Sequence, residues 1–308
     1  MKSGSNLEKI LNAGHFAFTG ELGPPRGANG DEVRKKAAHL KGNVDAVNIT
    51  DNQTAVVRMA SWAACIILIQ EGLEPNFQMV CRDRNRLAMQ ADILGAYAHG
   101  IRNMLCLSGD HCQFGDHPQA RGVFDIDSMQ LINMVKFMRD EGKFLGGADL
   151  EDPPKMFIGA AANPFAEPFE WRVHRLAKKI NAGVDFIQTQ CIYNMEKFRE
   201  WVKQANDMGL TEKVHILAGV TPMKGVGMAR YMKNNVPGMD VPDELIKRLQ
   251  GVDKKKQGDE GIKFACEQIE EFKEMKGVAG VHMMAIEWEH KVPEIAERAK
   301  VLPRPQVE

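Results

Sequence analysis

Eight times along this chain a short apolar run is followed by a longer helical pattern. The runs are His15–Gly20, Val44–Ile49, Asn76–Cys81, Arg102–Leu107, Met156–Ala161, Val184–Gln190, Val214–Ala218 and Ala279–Ile286. Most are nearly continuous in apolar residues, as parallel strands buried on both faces must be. Between them the spacing predicts helices over Asp31–Leu40, Thr54–Glu71, Asn85–His99, Ile126–Glu141 and Pro168–Ala182. Further helical patterns cover Met195–Met208, Gly225–Asn234 with Pro242–Gln250, and Gly258–Met275. Asp31 and Thr54 suit N-cap positions, and Gly72, Gly100, Gly183 and Gly209 fall where helices should end. The return to the next strand follows one formula: a helix end, a left-handed glycine, then a buried run. It reads His99-Gly100-Ile101-Arg102, Asn181-Ala182-Gly183-Val184 and Lys276-Gly277-Val278 before the fourth, sixth and eighth strands.

Eight β-α units in 308 residues predict an α/β fold, a (β/α)8 TIM barrel forming a single domain over 1–308, since that fold takes roughly 250 residues. An open doubly wound sheet is the alternative, but it would more often carry a Gly-rich phosphate loop after its first strand. The chain has no G-x-G-x-x-G or Walker A string. The longest excursions are Asp110–Ile126 and Gly142–Lys155, and Gly251–Gly258, with its three lysines, reads as a solvated turn.

Composition narrows the function classes. Lys and Arg total 40 against 41 Asp and Glu, so a nucleic-acid binder, which needs a basic excess, is not expected. The longest apolar stretch, Trp62–Ile69, falls far short of the ~20 residues of a membrane span. Residues Met1–Ile10 lack a signal core, and the six cysteines form no C-x-x-C pair. Both features predict a cytoplasmic protein with buried thiols and no sequence-local zinc or iron–sulfur site. The 18 methionines read as soft core filler.

In a barrel of this kind the chemistry sits at the C-terminal ends of the strands. Strand one ends in Glu21 before a rigid Pro24-Pro25 turn, strand two in Asn48-Ile49-Thr50-Asp51-Asn52, and strand three in Gln78-Met79-Val80-Cys81-Arg82-Asp83. Strand four ends in Ser108-Gly109-Asp110 and strand six in Gln188-Thr189-Gln190, ahead of Tyr193. Glu21 against that wall is a candidate general acid, because partial burial favours a protonated carboxyl. The competing reading makes it a surface carboxylate beside Arg26. Asp110 either hydrogen-bonds a ring with adjacent N–H donors, a pterin or flavin edge, or caps the turn after Gly109. Gln188 and Gln190 share a face by strand alternation, so one of them is a candidate hydrogen-bonder inside the barrel. The cluster Asp110, His111, Cys112, Asp116 and His117 fits no metal-binding spacing, and no metal is expected.

The string Phe18-Thr19-Gly20-Glu21-Leu22-Gly23-Pro24-Pro25-Arg26 resembles the first-strand motif of the methylenetetrahydrofolate reductase family. Val47-Asn48-Ile49-Thr50 and Leu107-Ser108-Gly109-Asp110 are similar to that family's second and fourth strand ends. Ala182-Gly183-Val184-Asp185 with Thr189-Gln190, and Ala218-Gly219-Val220-Thr221-Pro222-Met223, resemble two more of its motifs in the right order. The resemblance implies a flavoprotein barrel of one-carbon metabolism that reduces 5,10-methylenetetrahydrofolate to 5-methyltetrahydrofolate. It implies that Glu21 protonates N10, opening the substrate to a 5-iminium cation that takes hydride from reduced flavin N5. Asp110 would stabilise that cation and tune the flavin. Gln190 and Tyr193 would contact the folate, Thr50 the flavin ring, and Lys179 its phosphates. The remaining flavin contacts would fall on Gln78, Ser108, Gly109, Ala162, Asn163, Arg172 and Arg175.

The departures from the family pattern are as informative. Gln78-Met79-Val80-Cys81 replaces His-x-Thr-Cys, Ser108 replaces an arginine, and Ala161-Ala162-Asn163-Pro164 replaces Ala-Tyr-Pro-Glu. Arg172 and Arg175 stand where relatives have Asp and Asn, and Ile286-Glu287-Trp288 replaces Leu-Asn-Arg. These changes bear on the adenylate half of the flavin, so the cofactor is FAD by resemblance with FMN as the alternative. Such divergence resembles the short reductases of anaerobic acetogens. Electrons would then come from NAD(P)H or from a zinc or iron–sulfur partner subunit, in an oligomer or hetero-complex, and no adenosylmethionine-binding regulatory domain is expected. Two other classes stay open: a flavin-binding electron-transfer subunit of a larger complex, and a non-flavin barrel enzyme such as a pterin methyltransferase.

Overall fold

A computed structural model describes residues 1–307. Strands form where the apolar runs predict them, and a helix separates each from the next. The chain begins with α1 (Asn6–Asn12), then β1 (Ala17–Leu22), α2 (Asp31–Leu40), β2 (Val47–Ile49) and α3 (Ser61–Gln70). Next come β3 (Pro75–Val80), α4 (Arg86–Ala98), β4 (Asn103–Leu107), α5 (Ser128–Glu141), β5 (Phe157–Ala162) and α6 (Arg172–Ala182). The last third carries β6 (Phe186–Cys191), α7 (Met195–Asp207), β7 (His215–Val220), α8 (Val226–Asn235), α9 (Asp243–Gln250), α10 (Gln257–Glu274), β8 (Gly280–Met283) and α11 (Val292–Arg298). All strand pairs are parallel, and Ala17 of β1 registers with Gly280 of β8 to close the barrel. This is the (β/α)8 architecture, and the open-sheet alternative is excluded.

The predicted helix stops are where the sequence puts them. Gly100 and Gly183 have φ of 93° and 112°, a region costly for any residue with a Cβ. Two predicted starts move. Thr54 is not an N-cap: Asn52, Thr54 and Ala55 all have positive φ around a short 3-10 turn, and α3 begins only at Ser61. Asp31 lies inside the first turn of α2, and its N–H is taken by Asn29 Oδ1 at 3.0 Å. In contrast, Asp127 and Gln130 form a reciprocal capping box that starts α5 two residues after Ile126. The lysines at 254–256 form an exposed 3-10 turn, as expected, but α10 already starts at Gln257. The short helices α1 and α11 were not anticipated.

The N-terminal end of the barrel is closed by packing. Phe157 and Phe186 stack at 5.1 Å, and a Cβ on Gly159 would lie 2.3 Å from the Phe186 ring, so that strand position must be glycine. Leu7, Ile10 and Leu11 of α1 pack onto this layer with Ala17, Leu105 and Leu217. Buried carboxylates tie the elements together around the plug. Asp185 accepts from Arg139 Nη1 at 2.6 Å, from the Ile158 N–H at 2.8 Å and from Lys2. Asp45 receives Arg304 Nη2 at 2.5 Å and the Phe18 N–H at 2.7 Å. Glu74 receives the Asn6 and Leu7 N–H groups at 2.6 and 2.9 Å, and burial pushes its carboxyl pKa up despite them. Methionines 79, 89, 104, 134, 138, 156, 223 and 283 are fully buried, so many of the methionines are core. Among the described residues no helix is long and apolar enough to cross a membrane.

Candidate active site

A cavity of about 460 Å³ opens at the C-terminal ends of the strands, within the usual range for a small-molecule site. Its floor is set by alternation along β1. Thr19 and Glu21 point inward on the same face, and the register aligns Thr19 with His282 of β8. The Glu21 side chain is 13% exposed and faces His282 Nε2 at 3.4 Å. Gln78 Nε2 donates to the same carboxylate oxygen at 3.3 Å. Glu21 is therefore not a surface partner of Arg26, which pairs instead with Asp116 at 2.6 Å.

Beneath Glu21 lies a buried polar layer. His282 Nδ1 is 3.0 Å from Thr19 Oγ1 and 3.3 Å from Gln188 Nε2. Asn48 Nδ2 donates to Gln188 Oε1 at 2.6 Å, and Asn48 Oδ1 accepts from Gln188 Nε2 at 3.1 Å and Asn76 Nδ2 at 2.8 Å. Of the two glutamines on β6, Gln188 is the one inside the barrel. Gln190 lines the cavity higher up, its Oε1 accepting from the Cys191 N–H at 3.1 Å.

A second wall carries Ser108, Gly109 and Asp110. Gly109 has φ of 90°, and a Cβ there would meet Val80 and Arg82 at 3.0 and 3.1 Å. Ser108 Oγ accepts from the Ser128 N–H at 3.3 Å, which ties this turn to the start of α5. Asp110 is exposed at the mouth, and its carbonyl accepts from Arg82 Nη1 at 3.0 Å. Arg82 is 2% exposed and also donates to Asp83 at 2.7 Å and to the Asn52 carbonyl at 3.1 Å. One guanidinium thus binds the loops after β2, β3 and β4, and each of its bonds offsets the desolvation of a buried charge.

The third wall is cationic. Arg172, Arg175 and Lys179 lie one and two turns apart on α6 and all border the cavity. Burial, reinforced by the neighbouring Arg175, lowers the Lys179 ammonium to about 8, and its Nζ donates to the Ala161 carbonyl at 2.7 Å. Arg172 donates to the carbonyls of Ala166 and Glu167, while Arg175 is exposed. Ala162 completes the wall with Asn163, whose amide is partly engaged by the protein: Nδ2 donates to the Gly238 carbonyl at 3.1 Å and Oδ1 accepts the Phe165 N–H at 2.9 Å.

Of the residues singled out by sequence, the fold gathers Glu21, Gln78, Ser108, Gly109, Asp110, Ala162, Asn163, Arg172, Arg175, Lys179 and Gln190 around one space. It leaves Thr50 and Tyr193 behind that lining. Thr50 is buried with its hydroxyl unpartnered, and Tyr193 donates to the Thr221 carbonyl at 3.3 Å from inside an apolar cluster. The loop His111–His117 does not converge on a metal. Asp116 is engaged by Arg26 and His117, and no group of three or more His, Cys, Asp or Glu among the described residues is arranged to hold an ion. Sequence reasoning missed Arg82 and His282. The available signal for His282 was a lone ionisable side chain inside an otherwise apolar strand.

The family model for methylenetetrahydrofolate reductase matches residues 6–300 of the chain. A probable methylenetetrahydrofolate reductase (NADPH) of Caenorhabditis elegans is 22% identical over 259 residues, 80% of this chain and 36% of that protein. Methylenetetrahydrofolate reductase (NADH) 1 of Arabidopsis thaliana is 24% identical over 305 residues, 93% of this chain and 48% of that one. The chain therefore spans less than half the length of these curated relatives. Among solved structures, an uncharacterized protein from Clostridium thermocellum, described as binding two copies of 5-methyl-5,6,7,8-tetrahydrofolic acid, superposes with a TM-score of 0.65 at 14% identity. That match covers 97% of this chain and 99% of the other, and at such identity it establishes the shared fold.

Proposed function

The chain belongs to the methylenetetrahydrofolate reductase family, and from that premise we propose that it reduces 5,10-methylenetetrahydrofolate to 5-methyltetrahydrofolate with a flavin bound in the cavity. The observation that carries this reading is the placement of Glu21, a largely buried carboxylate on the cavity floor within reach of two nitrogen groups. Opposite it stands a wall of cations.

The donor set fits a flavin nucleotide. Arg175 and Lys179 present positive charge to a phosphate, as phosphate recognition requires, and the turn Ser108-Gly109-Asp110 faces the same space. FMN and FAD share that first phosphate, so the cationic wall serves either. Bound flavin would supply the hydride; the protein's share is binding, orientation and proton handling. Glu21 holds the proton destined for N10, with Gln78 donating to the carboxyl group and His282 beside it. Asp110 places negative charge at the mouth, where the substrate's cationic form develops. Gln190 borders the folate, and Thr50 and Tyr193 support the walls from behind. Electrons enter from NAD(P)H or from a redox partner subunit.

Heat release and chromatography of the cofactor from purified protein test this reading. FAD or FMN should be recovered, and 5-methyltetrahydrofolate should bleach the oxidised flavin's visible band and turn over with an artificial electron acceptor. A colourless protein, or a flavin that the folate leaves oxidised, would overturn it.

Lys179 makes a pH prediction. A phosphate beside the ammonium favours its charged form, so the bound lysine has a higher pKa than the free one. FMN affinity is then full below pH about 8, where free Lys179 is already charged. Above that it falls by up to roughly tenfold per pH unit. Fluorescence titration of the flavin-free protein with FMN from neutral to alkaline pH should show this slope, and Lys179→Gln should remove it. An unchanged affinity across the range would separate Lys179 from the phosphate.

A further inference from the structure

Strand β6 carries one residue more than its neighbour can match. Gln188 pairs with Leu217 of β7, but the next pair is Cys191 with Gly219, so three steps along β6 face two along β7. The extra residue makes a β-bulge at Thr189-Gln190, a device that bends a strand and re-aims a side chain. Below it the ladder is ordinary: the His215 N–H of β7 donates to the Asp185 carbonyl. At the bulge the Gly219 N–H donates instead to the Thr189 hydroxyl at 2.9 Å, and that hydroxyl donates to the Gln190 carbonyl at 3.0 Å. Thr189 and Gly219 are both buried, so without the hydroxyl this N–H would be left unpaired. Only glycine fits opposite, because a Cβ at 219 would stand 2.3 Å from the Thr189 carbonyl oxygen and 2.7 Å from that of Gln190. The Gln190 side chain folds back on its own strand, Oε1 accepting from the Cys191 N–H at 3.1 Å. A backbone N–H can only donate, so the amide atom facing it is the oxygen. The N–H bonds of Gln190 Nε2 are left for the cavity that this residue lines.

We infer that Thr189 is a positioning residue: its hydroxyl holds the β6 bulge that turns the amide N–H of Gln190, and not its oxygen, toward the folate. The inference rests on the reading that Gln190 borders the folate, and it deepens that reading by fixing what the side chain offers. A donor-only amide suits a ring edge that presents a carbonyl oxygen or a nitrogen lone pair, and opposes one that presents N–H. Thr189 has no donor left for a ligand, since its hydroxyl proton goes to the Gln190 carbonyl. It acts through Gln190.

Anaerobic equilibrium dialysis of 5-methyltetrahydrofolate against the photoreduced holoprotein, whose flavin cannot oxidise it, gives the affinity. Gln190→Ala should weaken binding roughly tenfold. Thr189→Val keeps the side chain's shape and removes the hydroxyl. It should weaken binding about as much and raise KM in proportion, with kcat little changed and the flavin's visible band retained. Thr189→Ser restores the hydroxyl and should bind within about twofold of wild type. In the Gln190→Ala background Thr189→Val should add less than about a twofold loss, whereas a general disturbance of the barrel would add its full effect there. The inference is overturned if Gln190→Ala loses affinity but folded Thr189→Val does not, or if the two losses multiply in the double variant. If Gln190→Ala binds normally, the reading that Gln190 meets the folate fails instead. One arm needs no change at residue 189. The side-chain amide NMR signals of Gln190, identified by their loss in Gln190→Ala, should shift when the wild-type photoreduced holoprotein takes up the folate. Signals that stay in place, with binding weakened in Gln190→Ala, overturn the assignment of the amide N–H as the group presented.

Discussion

Glu21→Gln is expected to yield a folded protein that keeps its flavin and the flavin's photoreduction but loses folate turnover by roughly 10²–10⁴-fold, the usual contribution of a positioned general acid. The substitution is nearly isosteric, and an amide oxygen can still accept from Gln78, which donates to the carboxylate now. What it removes is the exchangeable proton. Folding, cofactor binding and electron delivery should therefore separate cleanly from the folate half-reaction. Rapid mixing of photoreduced variant with 5,10-methylenetetrahydrofolate gives the relevant rate. A rate within a few-fold of wild type would take Glu21 out of the chemistry.

Asp185→Ala should have the largest effect on stability, about 3–5 kcal/mol, because it strands a buried cation. Asp185 and Arg139 are each almost wholly enclosed, and the aspartate also accepts the Ile158 N–H and Lys2. Without it Arg139 keeps Asp140 and the Met156 carbonyl, but one arm of a desolvated guanidinium loses its counter-charge. The network lies at the closed end of the barrel, away from the cavity. Urea unfolding should show a lower midpoint with an unchanged slope, while folate turnover in the absence of urea stays near wild type. An unmoved midpoint would mean that the pair contributes little net stability.

The barrel was legible because parallel strands buried on both faces must be apolar along their length, and left-handed glycines mark each return. That logic located all eight strands and placed Glu21 and Asp110 at the C-terminal end of the barrel. It failed at Thr54, where a helical pattern and a good capping residue yielded to a loop that packs against the loop after β4. A Cβ on Gly115 would lie 1.8 Å from the Ala55 carbonyl, so these two loops meet backbone to backbone. No local propensity encodes that contact. Arg82 and His282 escaped for the same reason. Each was visible in the sequence as one polar residue, but its importance depends on partners brought in from other strands. Asn163 shows the converse: it is at the predicted place, yet its amide is partly engaged, by the α8–α9 connection and by Phe165 of its own loop.

Arg82 has a consequence for how this rim can change over time. One buried guanidinium holds the Asp83 carboxylate and the backbone carbonyls of Asn52 and Asp110 at once, so three loops share a single anchor. Side chains at 52 and 110 can change while their carbonyls stay, so the constraint falls on Arg82 itself and on Asp83, whose replacement would take the carboxylate from a buried guanidinium. Changes in the chemistry of this rim would therefore arrive through the side chains around a fixed Arg82–Asp83 pair, with a single step through Arg82 largely closed.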